Sequence, residues 1–358
     1  MWLFALLLGQ TAFASNTPIP ADAPPEQALG RHAGYLDEAD GRLTLEQAIA
    51  AQAGGKFLAG TRDILNFGIG SRPVWIHFSV DNPTPGLLQR RLSVENAWLD
   101  QIDIHVRHRA QTVAAHRLGD SRPYRLRPVD NRHFALDHDF APGISDVFIR
   151  VETPDPMAMP IYLMTPERAR EREASQNYSY GFLYGFLFAL LVYNVMLYAG
   201  LRKPQYILYS LYLGMFLLMN IVYTGYGNAW LRPDHTRWVQ WVNPLTMMLY
   251  GGSGLIFALS FLHTRTHLPR AHKAVVACLG LFASLQLLAV LLDSQLLSLM
   301  VAFVFALTFT WSMLGLGVAA ARAGLQSARY FLLAAIAAMV GAAMTTLSVW
   351  GFIPYNVV

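Results

Sequence analysis

Six apolar runs in the second half of the chain constrain its fold more than any other feature. They are Ser179–Gly200, Tyr206–Gly225, Trp241–Leu262, Ala274–Leu292, Leu296–Ala321 and Tyr330–Trp350, and none contains Asp, Glu, Lys or Arg. Each has about 19 residues or more, which at ~1.5 Å per residue crosses a ~30 Å hydrocarbon core. The chain as a whole is 54% hydrophobic and 14% charged, well below the roughly 25% charged of a soluble domain. The absence of ionisable groups inside the runs argues against a pump or a proton-coupled carrier, while a transporter or channel for a neutral solute stays open as an alternative.

Charge divides the chain in two. Up to residue 176 there are 18 Lys/Arg against 21 Asp/Glu, and beyond it 9 against 2. The basic balance therefore belongs to the membrane half, and nothing indicates a nucleic-acid surface. The opening "MWLFALLLGQTAFASN" has an apolar core, Trp2 to Leu8, and an Ala12-Phe13-Ala14 site before Ser15, the pattern of a signal peptide over 1–14 although it lacks a basic n-region. The single cysteine, Cys278, lies in the fourth run, so an exported part has no disulfide and is held by its own core.

Residues 15–164 read as a β-sandwich. In "PVWIHFSV" Val74, Ile76, Phe78 and Val80 share one face and Trp75, His77 and Ser79 the other, and "QIDIHVRH" and "DVFIRVE" alternate in the same way. Period-two alternation in several short strands implies two packed sheets, and "LTLEQAIAAQ" before them reads as one short helix. No cofactor motif and no catalytic constellation occurs here. His105 and His108 lack a third ligand at metal spacing, and Asp137 and Asp139 read as a solvated strand edge. The candidate ligand residues are Arg122, Tyr124, Arg127, Asn131 and His133, in "GDSRPYRLRPVDNRHF", because planar donors and flat rings suit sugars and carboxylates. A long loop tied down by its arginines is the plainer reading.

Loop charges orient the membrane half. With the amino-terminal part outside, the inner loops carry Arg202, Lys203, Arg265, Arg270, Lys273, Arg322 and Arg329, against Arg232 and Arg237 outside, as the positive-inside rule requires. Arg168, Arg170 and Arg172, just before the first run, oppose this, but a long exported domain crosses largely regardless of charge. Six crossings then return the end, "GFIPYNVV", to the outside, so a fragment lacking a seventh helix and an output module is one expectation and signalling through partner helices the other. Thr165 suits an N-cap, Pro166 the first helical position and Glu167 the helix dipole, which predicts a stalk helix, 165–178, running unbroken into the bundle, 179–358.

Four features inside the bundle invite sharper readings. Gly251-Gly252-Ser253-Gly254 resembles the motif of rhomboid-type intramembrane serine proteases, but no histidine lies in any run to act as base, and close helix packing explains it better. The same packing role is expected of Gly181 and Gly185. His263, His267 and His272 read as an interfacial loop, and Tyr206, Tyr209 and Tyr212 as packing or an interfacial belt. Asn194, Asn220 and Asn243 suit interhelical hydrogen bonds.

The order of these parts resembles the bacterial seven-transmembrane receptors with diverse intracellular signalling modules. The resemblance is carried by Phe67-Gly68, "VWIHFSVDN" with Trp75 and Asn82, "GDSRP" at Gly119 to Pro123, "RHFAL", "FIRVET", then Gly181, Gly185, "YNVMLY" at Tyr193 to Tyr198, Arg202 and the tyrosine series. It implies an all-β, jelly-roll-like sensor in the periplasm followed by an all-α transmembrane bundle, six helices of an expected seven, in the bacterial inner membrane. It further implies a small-molecule ligand, carbohydrate or carboxylate, and a cytoplasmic cyclase or kinase module beyond this chain, and it leaves room for a homodimer. No enzymatic activity is expected of the chain itself.

Overall fold

The computed structural model describes residues 17–39, 41–232 and 236–349. The leader 1–14 and the end of the sixth run at Trp350 lie outside the described residues. The chain divides into two compact units: the residues up to Arg122 with Leu126–Ala169, and Pro123–Arg125 with the residues from Arg170 onward.

The first unit is a β-sandwich. Its strands are β1 (Ile19–Pro20), β2 (Gly34–Asp37), β3 (Leu58–Ala59), β4 (Leu65–Asn66), β5 (Val74–Asn82), β6 (Leu88–Val94), β7 (Gln101–His108), β8 (Gln111–Leu118), β9 (Phe134–Phe140), β10 (Gly143–Glu152), β11 (Ala158–Met159) and β12 (Ile161–Met164). The large sheet runs β3-β2-β5-β10-β7-β8, with β1 beside β5; the facing sheet runs β12-β6-β9, and β4 pairs with β11. Between the sheets lie the alternating apolar residues, among them Ile76, Phe78, Val80, Leu92, Val94, Ile104, Phe134, Leu136, Val147 and Ile149. Period-two spacing places every one of them on an inward face.

The other face of the large sheet is buried as well, which alternation alone does not predict. Helix α1 (Leu45–Ala53) lies over it, and Ala48 and Phe57 pack with Trp75 and Phe148. Thr44 and Gln47 form a complete capping box at its start, satisfying two otherwise orphan N–H groups. Beneath α1, Arg150 Nε and Nη2 donate to the two carboxylate oxygens of Glu38 at 2.7 and 2.8 Å, Trp75 Nε1 donates to Glu38 Oε1 at 2.9 Å, and Arg150 Nη1 reaches Glu152 at 2.8 Å. His77, also buried, bonds Asp146 Oδ1 at 3.1 Å, and Ser79 Oγ donates to the same oxygen at 2.8 Å. Asp137 is not a bare edge residue: Arg91 donates to both its oxygens, at 2.6 and 2.8 Å.

The second unit is helical. Its elements are α2 (Pro166–Leu201), which begins in the first unit, then α3 (Pro204–Tyr223), the short α4 (Tyr226–Leu231), α5 (Thr236–Phe261), the short α6 (Thr264–His267), α7 (Pro269–Leu291), α8 (Gln295–Arg322) and α9 (Ser327–Val349). Among the described residues, α2, α3, α5, α7 and α8 are long and apolar enough to cross a membrane, and α9 contributes a shorter apolar stretch, Ser327–Gly341. A core of Leu255, Ala258, Leu262, Phe282, Phe305, Leu316, Ala320 and Phe331 holds α5, α7, α8 and α9 together. Many large apolar side chains point outward, including Phe182, Phe186, Leu287, Leu307 and Trp311, as lipid-facing positions do.

Candidate functional site

The loop that carries the sequence candidates leaves β8 at one end of the sandwich. Gly119 has φ +127° and its missing side chain leaves room for the Asp100 carbonyl oxygen, into which any Cβ would run, so only glycine fits. This contact stitches the loop to the start of β7: Asp120 N donates to Leu99 O at 2.9 Å, Ser121 N to Asp100 O at 3.2 Å, and Ser121 Oγ to the same oxygen at 2.5 Å. On the other side Thr153 Oγ1 donates to Asp100 Oδ2 at 2.5 Å and accepts from Asp155 N at 3.1 Å.

Three carboxylates thereby come together, and all three are buried: Asp100, Asp120 and Asp155. Asp120 Oδ1 has no hydrogen-bond partner. Burial, reinforced by Asp100 and Asp155, holds the Asp120 carboxyl well above the usual range, with Arg127 partly offsetting. Burial and then Asp100 push Asp155 up to about 8. Asp155 is therefore protonated at neutral pH, and a protonated carboxyl donates one hydrogen bond as well as accepting. Among the described residues no group of three or more His, Cys, Asp or Glu is arranged to hold a metal ion.

The five sequence candidates divide in their roles. Arg127 Nη1 donates to Asn131 O at 2.9 Å and Arg132 O at 3.2 Å, and its guanidinium lies 4.5 Å from the centre of the Phe134 ring. Asn131 Oδ1 accepts from His133 N at 3.0 Å. These groups tie the loop, as the plainer reading expected. Tyr124 is buried in a 3-10 turn, Tyr124–Leu126. Arg122 and His133 are half-buried, and the Arg122 Nε is buried with no partner. What sequence reasoning missed is the acidic trio; "GDSRP" pointed to the neighbourhood but not to the carboxylate at its centre.

Helix α2 carries the proposed coupling residues. Thr165 caps it, accepting from Arg168 N at 3.2 Å, and Pro166 is its first residue. Ala169, in the first turn, packs with Ala28, Tyr162 and Met164 of the sandwich. Farther along, Tyr226 Oη donates to Asn177 Oδ1 at 2.6 Å and Tyr184 Oη meets Thr224 Oγ1 at 2.7 Å, joining α2 to α4 and to the end of α3. Two expectations need correction. Gly181 and Gly185 do not bring helices of this chain together, since a Cβ on either would meet nothing within 4 Å. Asn194 Nδ2 bonds back to Leu190 O of its own helix at 2.8 Å, and Asn220 does likewise to Phe216 O at 2.9 Å, so neither side chain makes the expected bond between helices.

Close packing falls instead at Gly251 and Gly254. A Cβ on Gly251 would lie 2.6 Å from Phe305, and one on Gly254 2.8 Å from both Phe309 and Tyr212. Ser253 Oγ donates to Tyr250 O at 2.9 Å. Tyr212 and Tyr250 stack at 5.2 Å and Tyr209 packs on Phe257 at 5.1 Å, so these two members of the tyrosine series line the contact of α3 with α5. The histidines lie at helix ends: His263, with φ +49°, sits 3.4 Å from Gln205, and His272 Nδ1, in the first turn of α7, meets Thr264 Oγ1 at 3.0 Å.

A β-sandwich with a buried polar end, joined through one continuous helix to an apolar bundle, defines a membrane protein of the receptor class. Comparison with known families agrees: residues 30–165 match the 7TMR-DISM extracellular 2 domain and residues 176–358 the 7TM diverse intracellular signalling domain. The chain belongs to the seven-transmembrane receptors with diverse intracellular signalling modules. No curated protein matches it.

Proposed function

We propose that the chain is the sensing part of a bacterial inner-membrane receptor whose exported sandwich binds a small carbohydrate or carboxylate and whose helices relay the event to a cytoplasmic output module. The observation that carries the reading is the unpartnered, buried Asp120 Oδ1 beside Asp100, Asp155 and Arg127. Native proteins seldom leave such a group unsatisfied without a reason, and clustered shifted acids are characteristic of functional sites. Neutral Asp155 together with arginine offers the donors that hydroxyl and carboxylate oxygens accept.

Helix continuity supports the relay. Over 36 residues α2 has no internal break; its first turn packs in the sandwich and its middle bonds α3 and α4. A ligand shifts the helices only through its different affinity for their two arrangements. The bias of seven Lys/Arg to one end of the helices supports a periplasmic sandwich. No catalysis is assigned to this chain; the engagement of Ser253 with a backbone carbonyl supports that.

The test uses the detergent-solubilised chain. A thermal-shift screen with monosaccharides and small carboxylates supplies a ligand, and hydrogen exchange then reports on α3 and α4. Ligand is expected to alter exchange near Thr224 and Tyr226 in the wild type but not after insertion of two glycines behind Ala174. Binding with no change in the helices would refute the relay.

A further inference from the structure

The helical unit gathers its positive charge on one face. Three turns meet there: Arg202 and Lys203 between α2 and α3, the segment from Leu262 to Leu268 between α5 and α7, and residues 323–326 between α8 and α9. Leu262, Leu268, Ala271, Leu325 and Ala328 join one apolar cluster beneath them, and the Gln205–His263 and Thr264–His272 contacts tie neighbouring turns. Arg202, Lys203, Arg265, Arg270, Lys273, Arg322 and Arg329 are all exposed on it. Beyond Glu173 the only acids are Asp234 and Asp293. Asp293 follows the far end of α7, 23 residues and therefore ~35 Å away, and Asp234 lies outside the described residues. Among the described residues the face therefore carries seven cations with no carboxylate of the helical unit beside them.

Depth identifies what they meet. Each cation lies within about one turn of the end of an apolar helix, the level of lipid headgroups, and long basic side chains extend to that layer. The turns are held short by residues in left-handed conformation, Arg202 at φ +54°, His263 at +49° and Gly324 at +77°, so the cations do not project beyond it toward a soluble partner. Helices α3 and α7 also start here, each with proline in its first turn and an N-cap, Lys203 or Leu268, that makes no side-chain hydrogen bond. Their first N–H groups thus add to the positive field.

We propose that this face is a docking surface for anionic phospholipid headgroups, with Arg265, Arg270 and Lys273 at its centre. The positive-inside bias accounts for the sign of these charges during insertion, but it requires no lipid preference in the finished protein. Headgroup docking does, and it depends only on the chain crossing a membrane, not on which ligand the sandwich binds.

The experiment reconstitutes the full chain in nanodiscs of phosphatidylcholine with a minor share of phosphatidylglycerol and counts lipids retained after release into detergent by native mass spectrometry. The wild type should retain phosphatidylglycerol well above its share. Retention should fall by about an order of magnitude in Arg265→Gln/Arg270→Gln/Lys273→Gln and persist in Arg265→Lys/Arg270→Lys. Unchanged thermal midpoints would show both variants folded, and inorganic phosphate should not displace the lipid. Retention that ignores headgroup charge, or equal retention by the glutamine variant, overturns the proposal. So does binding of a polyglutamate peptide in pure phosphatidylcholine without phosphatidylglycerol enrichment, which would assign the face to an acidic protein partner.

Discussion

The sandwich contains two buried polar centres, and they are built on opposite principles. Under α1, Glu38 and Arg150 are 2% and 4% exposed, and the carboxylate takes two guanidinium bonds and one from Trp75. At the end of the sandwich, burial and Asp100 raise Asp155, burial with Asp100 and Asp155 raises Asp120, and one Asp120 oxygen stays unpartnered. A closed pair anchors the fold, whereas a buried oxygen without a partner calls for an explanation, which the proposed ligand supplies. The first centre is thus read as architecture and the second as a site.

The largest effect should come from opening the closed centre. Glu38→Gln removes the buried counter-charge of Arg150 and leaves it only the more exposed Glu152, at a cost of about 3–5 kcal/mol in the unfolding of the sandwich, measured by urea titration. The pair Glu38→Leu/Arg150→Met should recover most of that loss; an equal loss in single and double variants would contradict the assignment.

The acidic centre should respond with the opposite sign. Asp155 titrates at about 8 when folded and near 4 when unfolded. Between those values the folded state holds a proton that the unfolded state has released, so stability falls as pH rises, by roughly 1.4 kcal/mol per unit, and levels off above pH 8. Asp155→Asn removes this penalty, so it should stabilise the sandwich by up to about 5 kcal/mol at pH 8 and by almost nothing at pH 4. Glu38 behaves conversely: burial raises its pKa, but the bonds from Arg150 and Trp75 outweigh burial and hold it low, so its contribution is present above the ordinary carboxylate range and is lost on acidification. Parallel pH slopes in Glu38→Gln and Asp155→Asn would remove the distinction between the centres.

Smaller effects separate the glycines of the bundle. Gly251→Ala should cost about 1–3 kcal/mol by overpacking against Phe305, while Gly181→Ala should be neutral or gain up to about 1 kcal/mol of helix propensity. Thermal unfolding in detergent would rank them.

Much of this architecture was legible. Alternation in Val74–Val80 marked the inward face of β5, uninterrupted apolar runs marked the helices, and Thr165-Pro166-Glu167 marked the start of α2. The outer face of the large sheet was not legible, because α1 and Phe57, which bury Trp75 and Phe148, lie well upstream with no local pattern linking them. GxxxG spacing misled at Gly181 and Gly185, since spacing states what a helix face permits and not whether a neighbour is there. The acidic trio was hidden for a related reason: aspartate at strand ends and in loops is ordinary, and only the approach of Asp100 and Gly119 together with the return of the chain at Thr153 makes these three exceptional.

The central claim, that the open polar centre is the sensor's ligand site, is tested most directly by a thermal-shift titration of the detergent-solubilised chain with monosaccharides and small carboxylates, wild type against Asp120→Asn. The account predicts at least one compound that raises the wild-type midpoint with saturable dependence and loses most of that effect in Asp120→Asn. A compound that stabilises both proteins equally, or a panel that shifts neither, would contradict it.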